Sequence, residues 1–337
     1  MKKSNAPLSV IFLFLTSVLF MTLPAQADNW SVFKQNYLSP VGRIMDKTNG
    51  ISHSEGQGYS MLLAVYNDDP ATFAELWLWT ARTLFRPDIG LFSWRYDPSA
   101  GKVTDTNNAS DGDTLIAWAL LKAGQKWHNL DYIAASTNIQ KAIIHNLVIP
   151  LGDDKILLPG VYGFSKDDGY IINPSYFIFP AWKSFYEQSH DPVWLALRKG
   201  ALHILDKAHF GEAKLPADWL WVNNAGEVKP AQGWPTRFSY DAIRIPLYLS
   251  WSDPGASQLI AFQHFWARYD RNNTPAWINI SGGEAAGYSL SGGGLAIRDL
   301  IMKDPKPAES SIIPDEGYYS SVLHLLALQA QKRQGSG

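Results

Sequence analysis

Ser110-Asp111-Gly112-Asp113, followed by Thr114-Leu115-Ile116-Ala117-Trp118-Ala119-Leu120-Leu121-Lys122-Ala123, shows the pattern that repeats along this chain. A short polar turn opens a helix-length run that is apolar on nearly every face. A surface helix carries one apolar stripe, so this run predicts a helix buried on most sides. Four other stretches repeat it. Ser54-Glu55-Gly56-Gln57 precedes residues 59–66, and Asn173-Pro174-Ser175 precedes 176–185. Ser239-Tyr240-Asp241 precedes 243–251, and Glu316-Gly317-Tyr318-Tyr319 precedes 322–328. Between them lie more polar helices at about 71–85, 130–147, 191–209 and 255–269. In these the apolar residues recur at three- and four-residue spacing, as in Trp194, Leu197, Ala201, Ile204 and Leu205. Asp69-Pro70 and Asp191-Pro192 place Pro at a helix start behind an Asp cap. Buried helices alternating with amphipathic ones predict two concentric helical layers, an all-α (α/α) barrel. Short strand pairs interrupt it, at 91–96 with 102–104 and at 219–223 with 226–229. No βαβ alternation occurs, which argues against a doubly wound sheet.

Composition narrows the function. The 337 residues include no cysteine, which removes thiol nucleophiles, zinc–thiolate sites and disulfide scaffolds. Lys+Arg number 29 against 31 Asp+Glu, a balance that gives no footprint for nucleic acid or an anionic membrane. Apolar residues reach 46% and charged residues only 18%, enough to bury a sizeable core. With 14 Trp, 15 Tyr and 15 Phe, the chain holds more flat aromatic surface than a core requires. That surplus fits a cleft lined for sugar rings.

The first 27 residues read as a secretory signal. Lys2 and Lys3 form the positive region, Leu8 to Leu19 the apolar region, and Ala25-Gln26-Ala27 a small-x-small cleavage site. The apolar stretch is short for a membrane span. The expected organisation is a signal peptide at 1–27 and a catalytic barrel domain at 28–334. The expected destination is the periplasm or the exterior, with no membrane insertion after cleavage.

If the buried helices run parallel, their N-termini gather at one end. Glu55, Asp111, Asp113 and Asp241 then meet in one cleft. Paired carboxylates in an aromatic cleft suit glycosidic hydrolysis, where one acid protonates the leaving oxygen and another activates water or attacks. A structural reading competes with this. Ser54 with Gln57, and Ser110 with Asp113, also fit capping boxes, and acids in a first helical turn complement the macrodipole. Asp113 is the acid best suited to a purely structural role. The macrodipole favours ionised carboxylates, so a general acid at Glu55 needs apolar burial or a neighbouring carboxylate to keep its proton. Other chemistries fit poorly. The eight His are scattered, with no HExxH and no four-residue pair, and no GxSxG elbow occurs. Ser281-Gly282-Gly283 and Ser291-Gly292-Gly293-Gly294 lack a following Lys-Ser/Thr and read as loops at the cleft rim.

These motifs carry a resemblance. Ala109-Ser110-Asp111-Gly112-Asp113, continued through Ile116, Ala117, Ala119, Leu120, Leu121 and Ala123 to Trp127, resembles the signature of glycoside hydrolase family 8. Ser54-Glu55-Gly56-Gln57-Gly58-Tyr59 resembles that family's general-acid motif, and Ser239-Tyr240-Asp241-Ala242-Ile243-Arg244 its third motif. Ser60 departs from the Gly that many members carry there. The resemblance implies an (α/α)6 barrel and an inverting enzyme without a cofactor. It implies Glu55 as proton donor and Asp241 as the base that activates water. Asp111 matches the acid long labelled the nucleophile, a position better suited to binding and distorting the sugar. Trp94, Tyr176, Tyr240 and Arg244 fall where the family contacts substrate. The signal segment, Gln57 and chain length are most similar to periplasmic members associated with bacterial cellulose synthesis. That implies a β-1,4-glucan (cellulose) chain as substrate and association with a cellulose synthase export complex. The family also includes xylanases and chitosanases. The modest net charge gives no sign of the extra acids that amino sugars call for. Two readings from other classes remain, a silent glycan-binding subunit and a polysaccharide lyase. The intact acid motifs weigh against the first. The lack of basic groups to neutralise a uronate weighs against the second.

Overall fold

A computed structural model describes Met1 and residues 28–303 and 311–334. The rest of the expected signal segment, residues 2–27, lies outside the described residues. Eleven helices are present among those described: α1 (Asn29–Tyr37), α2 (Ser54–Tyr66), α3 (Pro70–Thr83), α4 (Ser110–Trp127), α5 (Leu130–Leu147), α6 (Phe179–Ser189), α7 (Val193–Lys207), α8 (Arg244–Ser252), α9 (Leu259–Trp266), α10 (Gly292–Met302) and α11 (Gly317–Gln334). Contacts run from α2 to α4, α6, α8, α10 and α11, and α11 closes back on α2. This is the inner ring of an (α/α)6 barrel. Outside it, α3 packs on α2, α5 on α4, α7 on α6, α9 on α8 and α10, and α1 on α11.

Burial follows the two helix types. In α4 every residue from Ser110 to Leu121 is buried, and in α8 every residue from Arg244 to Trp251. In α7 burial is confined to one side, at Val193, Trp194, Leu197, Gly200, Ala201, Ile204 and Leu205. The inner runs are apolar all round because they touch both neighbours in the ring and an outer helix.

Two local expectations are overturned. Neither capping box forms. His53 caps α2, its Nδ1 accepting from Gly56 N at 3.0 Å, and Ala109 precedes α4 without a side-chain cap. The hydroxyls of Ser54 and Ser110 are buried without a hydrogen-bond partner. Ser54 is pressed into the α2–α4 contact, where a Cβ on Gly112 would stand 2.2 Å from its Oγ, so it cannot turn back onto its own helix. Gln57 instead accepts from Ile44 N at 2.7 Å and donates to Thr80 Oγ1 at 2.9 Å, tying α2 to its flanks. The second correction concerns Ser291–Gly294. Ser291 caps α10 and the glycines form its first turn, because α10 lies against α11 where a Cβ on Gly293 would meet Ser320 O at 2.1 Å. A glycine run reads as a loop by propensity, but tight packing here requires glycine inside a helix.

The short strands serve the cleft. Leu91–Asp97 pairs with Lys102–Asn108, with Phe85–Arg86 and with Ser52–His53, the strand leading into α2. A second sheet runs Val228–Pro230, Leu220–Val222, Gly169–Ile172 and Ser165–Lys166.

Candidate active site

The six inner helices do point their N-termini one way. Glu55, Asp111, Tyr176, Asp241, Ser291 and Tyr319, from the starts of α2, α4, α6, α8, α10 and α11 or the turns ahead of them, line one cavity of about 690 Å³. Trp94, Tyr240 and Arg244 line it too, so the structure brings together all seven residues expected from the sequence. Asp113 does not join them. It is fully buried and accepts from Phe92 N at 2.9 Å and Asn108 Nδ2 at 2.7 Å, which anchors the strand bearing Trp94 to α4. Burial raises its carboxyl from 3.8 to about 8.

Arg244 lines the cavity and is the centre of the cluster. Only 3% exposed, it spends its donors on protein atoms. Nη1 meets Glu55 Oε1, Asp111 Oδ2 at 3.1 Å and Tyr59 Oη at 3.3 Å. Nη2 meets Asp241 Oδ1 at 2.7 Å and Ser175 Oγ at 2.8 Å. A buried guanidinium needs this many acceptors to offset its lost hydration. One cation cannot neutralise three carboxylates. Burial raises Asp111 to about 7, opposed by the hydrogen bond from Gly112 N. Asp241 also rises to about 7, first through burial and then through the charges of Asp218 and Asp111. Asp111 and Asp241 therefore keep their protons to higher pH than ordinary carboxylates do.

The approach to Glu55 is built by α2. Its Oε2 lies 3.6 Å from His53 Nδ1. That nitrogen already accepts from Gly56 N, so it has no proton to offer, and the imidazole N–H is on Nε2, facing Asp46 at 3.7 Å. Glu55 and Asp111 share one guanidinium nitrogen, which sets the two carboxyls side by side.

Asp241 sits in the turn before α8, and Asp218 shapes that turn. Its carboxylate accepts from Ser239 N at 2.9 Å, from Ala242 N at 2.8 Å and from the Ser239 hydroxyl. Asp218 was not singled out in the sequence. Its one signal was a lone acid between apolar Ala217 and Trp219. Tyr59 and Tyr248 were hidden in apolar runs. Their hydroxyls meet at 2.6 Å beneath Arg244 and tie α2 to α8. The cleft wall is aromatic. Tyr176 holds its ring 5.7 Å from the Arg244 guanidinium and edge-on to Trp219, and Trp94 is half-buried on its strand. Tyr240 is 53% exposed, its hydroxyl 2.7 Å from that of Tyr288.

Residues 5–333 match the family described as glycosyl hydrolases family 8. The chain belongs to that family. An endoglucanase of Cellulomonas uda is 43% identical over 303 residues, 89% of this chain and 84% of that one. Among solved structures, endoglucanase Cel10 of Klebsiella pneumoniae, a family 8 glycosyl hydrolase, superposes with a TM-score of 0.88 at 44% identity, covering 91% of this chain and 99% of that one. The endo-β-1,4-glucanase CMCax of Acetobacter xylinum gives 0.85 at 37%, covering 90% and 97%. This family 8 glycosyl hydrolase is thus an enzyme with its acids at the open end of an (α/α)6 barrel.

Proposed function

We propose that this enzyme is an endo-β-1,4-glucanase that hydrolyses cellulose chains with inversion. The observation that carries the reading is the set of three carboxylates gathered on Arg244 in an aromatic-lined cleft. The endoglucanases similar to it over about nine-tenths of its length support the choice of glycan. Glu55 gives its proton to the glycosidic oxygen as the C–O bond breaks. Asp241 takes a proton from the water that attacks C1 from the opposite face. Solvent then restores the proton to Glu55 and removes the one on Asp241. Asp111 holds a hydroxyl of the sugar at the cleavage point, and Trp94, Tyr176 and Tyr240 offer rings to the chain.

Inversion requires a water between Asp241 and the anomeric carbon, so the first product from a β-linked chain is the α-anomer. Early-time NMR of the anomeric protons tests this, alongside reducing-sugar release from soluble cellulose, xylan and chitosan. A β-anomer appearing first would overturn the roles of Asp241 and Asp111. Faster release from xylan or chitosan would overturn the substrate.

The reading extends to place and partner. Cleavage after Ala27 would deliver the enzyme to the periplasm or beyond, where it trims nascent glucan as an accessory to a cellulose synthase export complex. Among the described residues no helix is long and apolar enough to cross a membrane. N-terminal sequencing of the exported protein should begin at Asp28, and co-purification with the synthase tests the association.

A further inference from the structure

We propose that Asn173 is a positioning residue that helps hold the Asp241 carboxylate in place for its work as base. The inference rests on the reading of Asp241 as that base. Asn173 precedes the short 3-10 turn Pro174–Tyr176 and is 1% exposed. Its Oδ1 accepts from Ser175 N at 3.0 Å and Ser175 Oγ at 2.6 Å. Two donors on that oxygen settle which way the amide points. The Ser175 hydroxyl gives its proton to Asn173, so its lone pair is free for Arg244 Nη2 at 2.8 Å. Arg244 thereby orients Asn173 through Ser175, while the same Nη2 grips Asp241 Oδ1.

The other end of the amide is the telling one. Asn173 Nδ2 is buried and makes no full hydrogen bond to a protein atom. A buried donor left so is costly, and sites that keep one use it. The hydrogen-bonded path Asn173–Ser175–Arg244 ends on the Asp241 carboxyl, and the nearby Asn173 and Trp219 side chains both favour its ionised form. The other titratable groups around Asp241 are Arg244, the carboxyls of Asp218 and Asp111, and the phenols of Tyr176 and Tyr319. Arg244, Asn173 and Trp219 favour the charged base against Asp218 and Asp111.

Asn173 also caps the turn, and a purely structural residue would do no more. Asp caps as well as Asn does, which separates the two roles. Asn173→Asp keeps the cap and replaces the donor by a like charge facing Asp241. Its kcat should fall at least about tenfold, and the acid limb of kcat/KM should move up by about one pH unit or more, because the base must be ionised and a like charge resists that. KM should stay within about twofold, since Asn173 acts on the base and not on the sugar. Asn173→Ser, which caps without adding charge, should shift the limb in the same direction by less. Thermal unfolding of both variants checks that they fold. Wild-type kcat and an unmoved limb in both, with Asp241→Ala inactive, would leave the base in place and overturn the inference. Near-normal activity in Asp241→Ala would overturn the base assignment and this inference with it.

Discussion

A single guanidinium lies among three carboxylates, and each acid is exposed to a different degree. Asp111 is almost wholly enclosed, and Asp241 keeps about a third of its side chain open to the cleft. Glu55 lies between, 17% exposed. This grading suits the proposed division of labour. The most enclosed acid holds the sugar, and the most open one meets water. Glu55→Gln tests the acid at this scale. The amide keeps the shape and accepts from Arg244 but has no proton to give. Hydrolysis should fall by roughly 10²–10⁴-fold, while cello-oligosaccharide affinity measured by calorimetry stays close to wild type. Retention of more than a tenth of the rate would remove Glu55 from the role.

Among the elements, α2 and α4 approach closely at their N-termini, where their two acids meet. Gly112 permits it. A Cβ there would stand 2.7 Å from Ser54 Cβ and 2.8 Å from the backbone nitrogen of Glu55. A backbone atom cannot step aside as the end of a side chain can. Gly112→Ala should therefore cost about 1–3 kcal/mol of stability through overpacking. It should also move Glu55 relative to Asp111, so kcat should drop at least about tenfold, because small displacements of catalytic groups are expensive. Urea unfolding and steady-state kinetics read the two effects separately. A variant that is less stable but fully active would show that the close approach serves packing alone.

For the whole molecule, the barrel gathers raised carboxyls at one end, and this gives its stability a particular pH dependence. Asp111 and Asp241 at about 7, and Asp113 at about 8, keep protons in the folded state that the unfolded chain releases near 3.8. The folded state binds more protons across that window, so stability should fall as pH rises from about 4 to 8. Asp46, Asp69 and Asp154 are shifted the other way. Their contribution is complete above 3.8 and is lost only as pH falls below it, outside the window. Unfolding by urea should thus need less denaturant at pH 8 than at pH 5. A midpoint that is flat or rising over this range would contradict the burial of the acids.

The alternation of all-round apolar runs with one-sided ones is written locally, and from it the chain alone determined two helical layers and five of the six inner helices. The motifs at Glu55, Asp111 and Asp241 were legible for the same reason, since each opens such a run. Three things were decided only by the tertiary structure. The glycines at 292–294 became the start of an inner helix because α11 presses on them, a contact no local propensity contains. Arg244 became the partner of three acids, although 189 residues separate it from Glu55. Asp218, outside every helix-start pattern, and Asn173, by its local pattern only a cap, became the supports of Asp241. Hydrophobic periodicity repeats within a few residues and survives in the sequence. The pairing of buried charges and donors depends on which distant segments meet when the ring closes, and that information exists only once it has closed.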